Sequence, residues 1–350
     1  MKKRFIGMMG VGLLLTGVYM GQVARPSVTI DGREVIFEDA EPMIIEDRTM
    51  IPIREVLEAL GYQIMWDGRT QTVRILTGEN PDYRFPRVFD EVALTAELTA
   101  FMARYHQTVS IFYENFETGF SFTYMGDRVF FGASATKAPF GLYLLNEVAQ
   151  GRRQLTSLHT YSELDEWGGS GIIRHEHVPG DRFTLGRLIE LMMVPSDNIA
   201  TRILHRYVGL EGHRRFWEEL GGNPAHIHNL TYSHLTAHEA GIFLREAYRF
   251  MNEAGSYGLL LQDMMLRNRY AFITASYPVG SKSGWSGPVT QSGGGWHDMA
   301  IVFAPSVYGL AILTDRYQAT PEDRRVIAEI SQFIENFNHR HFIAETEGEN

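Results

Sequence analysis

The feature that most constrains this chain is where its strand-like runs fall beyond about residue 85. Two come early: Val109-Ser110-Ile111-Phe112-Tyr113 and Ser121-Phe122-Thr123-Tyr124, on either side of a Glu117-Thr118-Gly119 turn. Three come late, over residues 275–280, 299–303 and 309–314. The stretch between them has helical periodicity. Leu185, Leu188, Ile189, Met192 and Met193 share one face of a helix opened by Thr184, and a second helix spans residues 199–207. Thr236-Ala237-His238-Glu239 is a capping box for a helix reaching about Met251. Apolar spacing over residues 90–105 predicts a helix ahead of the first strand. A last helix opens at Thr320 (N-cap) and Pro321 (N1) and runs through Phe333. Strands at both ends with helices between them predict one antiparallel sheet built from both ends of the domain, with helices on its faces and a helical subdomain, in an α/β sandwich.

At 350 residues the chain exceeds what one core usually supports, about 250–300 residues, so two domains are expected. Met1-Lys2-Lys3-Arg4 followed by an apolar run to about Met20 reads as an export signal over residues 1–24, either cleaved or kept as a membrane anchor. The protein is therefore expected to be extracytoplasmic, secreted or tethered to the membrane or cell wall. The chain has no cysteine, which removes disulfides and thiolate metal sites. A formal charge of −10 argues against a nucleic-acid partner, whose phosphates need a basic stripe.

Residues 27–78 form a self-contained α+β pattern. Asp31-Gly32 turns between two short strands, Pro52 opens a helix from Ile53 to Leu60, and two alternating runs follow on either side of Asp67-Gly68. Residues 79–86 are a polar, proline-bounded linker to a second domain over 87–345. The order of Asp31-Gly32, Thr49-Met50-Ile51-Pro52-Ile53-Arg54, Glu58-Ala59-Leu60-Gly61-Tyr62 and Trp66-Asp67 resembles the copper amine oxidase N-terminal-like domain. The segment has neither histidine nor cysteine, so a spacer or wall-proximal stalk is expected in place of a copper site.

The chain has four lysines, Lys2, Lys3, Lys137 and Lys282, against 28 arginines. Arginine does not release its proton in a protein, whereas a buried lysine can. A chain that keeps lysine at only two mature positions is therefore expected to use its chemistry there. Lys137 lies three residues after Ser134, so a helix beginning near Ser134 places both on one face with the amine in reach of the hydroxyl. A serine becomes an effective nucleophile when such a base takes its proton.

Ser134-x-x-Lys137, Ser196-Asp197-Asn198 and Lys282-Ser283-Gly284 occur in that order, with Gly168-Gly169-Ser170-Gly171 before the second and Trp296-His297-Asp298-Met299-Ala300-Ile301-Val302 after the third. Together they resemble the class A β-lactamases and penicillin-binding proteins over roughly residues 85–340. The resemblance implies a serine hydrolase or acyltransferase that forms an acyl-enzyme on Ser134 with β-lactam or D-alanyl-peptide-like substrates, needing no metal or other cofactor. It implies Lys137 as proton acceptor, Ser196 as proton relay, and Lys282 as support for that relay and positive charge for an anionic substrate. It gives Asn198 to the substrate's amide, Ser283 to the substrate's carboxylate, Gly284 to substrate binding, and the N–H groups of Ser134 and Trp285 to an oxyanion hole. The plainer reading makes Ser196 a helix N-cap and Asn198 a satisfied loop amide.

Class A β-lactamases carry a deacylating glutamate on a loop after the second motif. Here the corresponding stretch, residues 221–237, contains no aspartate or glutamate, and Glu239 belongs to the capping box. The acyl-enzyme is therefore expected to persist, as in a penicillin-binding protein. His226, His228 and His234 in that stretch read as solvent-facing loop histidines. A second function class is a non-turnover cell-wall protein that binds peptidoglycan or senses β-lactams, and a third is an esterase or amidase using the same nucleophile.

Overall fold

The computed structural model describes residues 26–30, 33–37, 42–45, 48–60, 63–67, 72–76, 90–105, 108–228, 233–286, 294–315 and 321–343. The expected export signal, the whole of the linker and Thr320 lie outside the described residues. The chain divides into two compact units, Met1–Phe89 and Asp90–Asn350.

The first unit consists of three antiparallel strand pairs and one helix: β1 (Thr29–Ile30) with β2 (Arg33–Glu34), β3 (Met43–Ile45) with β4 (Arg48–Met50), α1 (Ile53–Ala59), and β5 (Gln63–Asp67) with β6 (Thr72–Leu76). Ile30 pairs with Arg33 and Asp67 with Thr72, so two residues connect the first pair and four the last.

The second unit opens with α2 (Glu91–Met102), capped by Asp90, whose carboxylate accepts the Ala93 N–H at 3.0 Å. Next come β7 (Val109–Asn115), β8 (Ser121–Tyr124), β9 (Phe130–Phe131), a 3₁₀ turn over Ala133–Thr136 and α3 (Lys137–Ala149). The middle contains β10 (Leu158–Thr160), α4 (Ile173–Glu176), β11 (Arg182–Thr184), α5 (Leu185–Met193), α6 (Asn198–Val208), α7 (Glu211–Glu219) and β12 (His234–Leu235). It closes with α8 (Ala237–Glu253), α9 (Ser256–Leu266), β13 (Val279–Trp285), β14 (Trp296–Val302), β15 (Tyr308–Thr314) and α10 (Pro321–Phe342).

The sheet order is β13-β14-β15-β7-β8, all antiparallel, so β15 joins the late strands to β7 and both chain ends share one sheet. α8 lies close against one face: Gly241 sits against the Phe112 ring, where a Cβ would come within 2.5 Å. α2 and α10 cover the other. Phe101 stacks on Phe333 with centroids 3.6 Å apart, Phe337 meets the Tyr113 ring edge-on, and the Tyr113 hydroxyl bonds Asn338 at 2.6 Å.

Two boundaries differ from expectation. The strand expected over 275–280 begins only at Val279, because Pro278 has no N–H for the ladder and Ser276 instead donates its N–H to Glu335 at 2.7 Å. This places Lys282 mid-strand on the sheet's edge. The last helix continues past Phe333 to Phe342 because Ile334 and Phe337 carry its apolar face into the core.

Candidate active site

β9 and the 3₁₀ turn deliver Ser134, and α3 begins on Lys137. Ala133, the residue before the nucleophile candidate, has φ +46°, a left-handed conformation that non-glycine residues seldom adopt. Ser196 has φ +57°. Held strain of this kind, about 1–3 kcal/mol per residue, persists where the surroundings over-determine the backbone. At Ser196 those surroundings are visible. Asp197, and not Ser196, caps α6 by accepting the Ala200 N–H at 3.0 Å. Its other carboxylate oxygen accepts the N–H groups of Ile172 and Ile173 at 2.7 and 2.9 Å, tying the Gly168–Gly171 loop to the start of α6. Gly171, at φ +129°, allows this approach, since a Cβ there would lie 2.3 Å from the carboxyl carbon of Asp197.

Lys137 is buried and donates to the Ser196 carbonyl at 2.6 Å, to Ser196 Oγ at 3.2 Å and to Asn198 Oδ1 at 2.7 Å. Asn198 Nδ2 in turn donates to the Gly168 carbonyl at 2.8 Å, so this amide links the lysine to the loop across the cavity. Lys282, also buried, donates to the same Ser196 Oγ at 3.0 Å and to the Ser283 carbonyl at 3.0 Å. A hydroxyl has two acceptor lone pairs and one proton. With both lone pairs facing lysines, the Ser196 proton is left to point into the cavity. The expected contact of Lys137 with Ser134 is not a formed hydrogen bond: the three ammonium protons are used at Ser196 and Asn198. Such contacts often tighten only when substrate is bound.

Burial lowers the proton affinity of Lys137 well below that of a free lysine, and the positive charge of Lys282 adds to the effect while Asp197 opposes it. Burial brings Lys282 down to about 7, against the favourable charge of Asp298. Asp298 faces the opposite effect: burial raises it to about 6, although its carboxylate accepts the N–H groups of Phe272 and Ile273 at 2.7 and 2.9 Å.

Gly284 brings β13 against the nucleophile turn, where an added Cβ would lie 2.3 Å from Ala135 N and 2.7 Å from Ser134 N. Ala135 N–H closes the turn on the Gly132 carbonyl at 3.1 Å, while Ser134 N–H has no partner among the described residues. Ser286 N–H bonds Gly295 at 3.2 Å, and antiparallel pairs alternate, so Trp285 N–H points outward from the sheet's free edge. Two unused backbone donors thus flank Ser134. Ser134, Gly169, Ser170, Ser196, Asn198, Ser283, Gly284 and Trp285 all line one cavity of about 230 Å³, with Tyr270 and Ser286 completing its wall. All eight candidate residues named from the sequence meet here, with the two lysines buried behind the cavity.

A family model described as the beta-lactamase enzyme family matches residues 93–337. The chain belongs to this family. Residues 29–81 match the copper amine oxidase N-terminal domain. Among solved structures, a PBP-A variant held as an acyl-enzyme complex with penicillin G aligns over 71% of this chain and 97% of its own, at 20% identity and TM-score 0.60. A beta-lactamase from Chitinophaga pinensis DSM 2588 aligns over 70% and 98%, at 17% identity and TM-score 0.61. A variant of the class A beta-lactamase of the last common ancestor of Gram-negative bacteria aligns over 72% and 100%, at 23% identity and TM-score 0.57. At these identities the likeness is one of fold. No curated protein matches the chain.

Within this beta-lactamase-family domain, Glu239 is buried in the first turn of α8. Its carboxylate accepts from Thr236 N at 3.0 Å, Asn223 N at 3.0 Å, Trp217 Nε1 at 3.3 Å and His226 at 2.8 Å. His226 is therefore a half-buried, hydrogen-bonded residue and not a solvent-facing one, because a buried carboxylate needs its donor. His228 and His234 contact each other edge to face at 5.3 Å, and His234 is made a weaker base by burial and by its two histidine neighbours. Among the described residues no three or more histidine, aspartate or glutamate side chains are grouped to hold a metal.

Tyr270, Asn268 and the carboxylates of Asp197 and Asp298 were assigned no role from sequence. Asn268 Nδ2 donates to Ser281 Oγ at 3.0 Å and Ser283 Oγ at 3.4 Å, bracing the third motif from a loop thirteen residues away. No local pattern marks these residues.

Proposed function

We propose that the protein is an exported serine acyl-transferring hydrolase acting on β-lactam or D-alanyl-peptide-like substrates, with Ser134 as nucleophile. The observation that carries the reading is the convergence of two buried lysines on the Ser196 hydroxyl, in the cavity that Ser134 also lines. Lys137 in its neutral form takes the Ser134 proton as Oγ attacks the carbonyl carbon. The N–H groups of Ser134 and Trp285 receive the developing oxyanion. The carbon–nitrogen bond then breaks, and the leaving nitrogen takes the Ser196 proton, which Lys137 replaces. Asn198 orients the amide of the acyl half. Ser283, on a strand backed by the Lys282 charge, receives the substrate carboxylate.

The acyl-enzyme on this reading is long-lived, because the carboxylate closest in sequence to the expected deacylating position, Glu239, is tied to four donors. Intact-mass measurement after adding penicillin G tests this. A persistent adduct of one penicillin is expected on the wild type and none on Ser134→Ala. No adduct together with no hydrolysis overturns the proposal. The occupied Glu239 also favours a second reading, a cell-wall-binding protein without turnover, which predicts peptidoglycan binding that survives Ser134→Ala.

A further inference from the structure

Asn268, Ser281 and Asp298 stand behind the third motif and take no part in acyl transfer itself. β13 pairs with β14 so that Ser283 lies opposite Asp298 and Ser281 opposite Ala300. Ser281, Ser283 and Asp298 therefore project from one face of the sheet, within reach of one another. The segment from Asn268 to Ile273 packs against them. Asn268 Nδ2 reaches Ser281 Oγ at 3.0 Å and Ser283 Oγ at 3.4 Å, while the N–H groups of Phe272 and Ile273 reach Asp298.

The direction of each hydrogen bond in this group is fixed. The other end of the Asn268 amide accepts the Tyr270 N–H at 3.3 Å, and a backbone N–H can only donate. The oxygen therefore faces Tyr270, and the nitrogen that faces the two serines can only donate to them. Ser281 Oγ receives one proton and holds one of its own. Asp298 is buried, and its Oδ1 has no hydrogen-bond partner among the described residues. Burial raises the proton affinity of this carboxylate, and the Ser281 hydroxyl is among the groups that oppose the rise. A buried carboxylate oxygen calls for a donor, and the Ser281 proton is the one placed to meet it.

Ser283 ends the same chain of bonds. It is buried at the wall of the catalytic cavity, and its Oγ takes a proton from Asn268. With an amide donor behind the oxygen, the single Ser283 proton is left to face the cavity. We infer that Asn268 is a positioning residue: locked by the Tyr270 N–H and, through Ser281, by the Asp298 carboxylate, it holds the Ser283 hydroxyl as a hydrogen-bond donor to the cavity and so sets the preference for a negatively charged group there. The inference rests on the acyl-enzyme reading above, which brings the substrate carboxylate to Ser283. A side chain that merely braced β13 would serve charged and neutral substrates alike. A carboxylate in place of the Asn268 amide would instead accept the Ser283 proton and turn it away from the cavity.

Penicillin G and its carboxamide analogue share the reacting ring and the leaving nitrogen, so the ratio of their acylation rates by intact mass reads recognition of the carboxylate. The wild type is expected to favour the carboxylate about 10-fold. Asn268→Asp, which is isosteric, should lower that ratio about 10-fold. In the Ser283→Ala background the same substitution should lower it only about twofold, the share due to like-charge repulsion, which is common to both backgrounds and cancels in the cycle. Equal falls in the two backgrounds overturn the inference, as does a loss of both rates at constant ratio. Neutron diffraction from crystals of the perdeuterated wild type reads the same proton without a variant or a substrate. A Ser283 deuteron directed into the cavity supports the inference even where neither penicillin acylates Ser134, an outcome that counts against the acyl-enzyme reading alone. A Ser283 deuteron directed at Asn268 overturns it.

Discussion

Replacing Gly284 by alanine tests the alignment of β13 with the nucleophile turn. The added Cβ would lie 2.3 Å from Ala135 N, 2.7 Å from Ser134 N and 2.9 Å from the Gly132 carbonyl oxygen. All three atoms are backbone, so no rotamer change relieves the contact. Ordinary van der Waals separation begins near 3.4 Å, so the strand and turn must part by about 1 Å. Overpacking of this kind costs about 1–3 kcal/mol. The larger effect is on rate, because the same displacement moves both flanking N–H donors relative to Ser134 Oγ. A misplacement of about 1 Å can cost about 100-fold in a positioned reaction. The assay is the second-order rate of penicillin adduct formation by intact mass, read beside a thermal melt. Gly280→Ala is the control on the same strand: its Cβ would come no closer than 3.2 Å, to the Phe303 side chain. Acylation is expected to fall about 100-fold in Gly284→Ala and within about threefold of wild type in Gly280→Ala. A folded Gly284→Ala protein that acylates at the wild-type rate would refute the account of how the turn is held.

Other outcomes follow from the buried ionisable groups. Lys282 loses its charge near pH 7, so acylation by an anionic β-lactam should decline above about pH 7, while acylation by a neutral ester should not; parallel profiles for the two would remove Lys282 as the anion-attracting charge. His213, packed beside Phe140 and Tyr143 with no hydrogen-bond partner among the described residues, is pushed down to about 3 by burial. An unfolded histidine takes up its proton near pH 6.5, so between these values the unfolded chain binds more protons and stability falls with falling pH. His213→Leu should therefore lose about 1–2 kcal/mol less stability than the wild type between about pH 7 and pH 5, measured by urea titration; identical losses would show that the histidine is hydrated. Glu239→Gln should lower the melting temperature and leave the lifetime of the penicillin adduct within about twofold of wild type. A lifetime lengthened about tenfold would instead make Glu239 the deacylating base.

The parts of the site that chemistry fixes were legible in the sequence. Ser134, Lys137, Ser196 and Lys282 were named from sequence by motif order and by the scarcity of lysine, and the structure brings them together at one cavity. The capping box at Thr236 and Glu239 was legible for a similar reason, since both of its hydrogen bonds are local. What was not legible depends on contacts between distant segments. Asp197 acts on Ile172 and Ile173, Asn268 on Ser281, and Asp298 on Phe272 and Ile273, and no spacing rule joins those positions. The helical extension to Phe342 was missed because Asn338, which looks solvent-bound in sequence, is buried against Tyr113 and the Ser306 carbonyl. His226 was misread for the same reason: its carboxylate partner is thirteen residues away.

The sheet order has a consequence for how the protein matures. Ser134 lies in the first half of the chain, but Lys282 sits on an edge strand joined to β7 only through β14 and β15. During synthesis Ser134 emerges long before the strand that backs it can be held, and pairings this distant form late because closing the intervening loop is slow. A chain that ends before Thr314 lacks the full β15–β7 pairing through which β13 joins the sheet, and so lacks a fixed edge strand to carry Lys282. Bringing Lys282 to Ser196 therefore waits on the most distant pairing in the sheet.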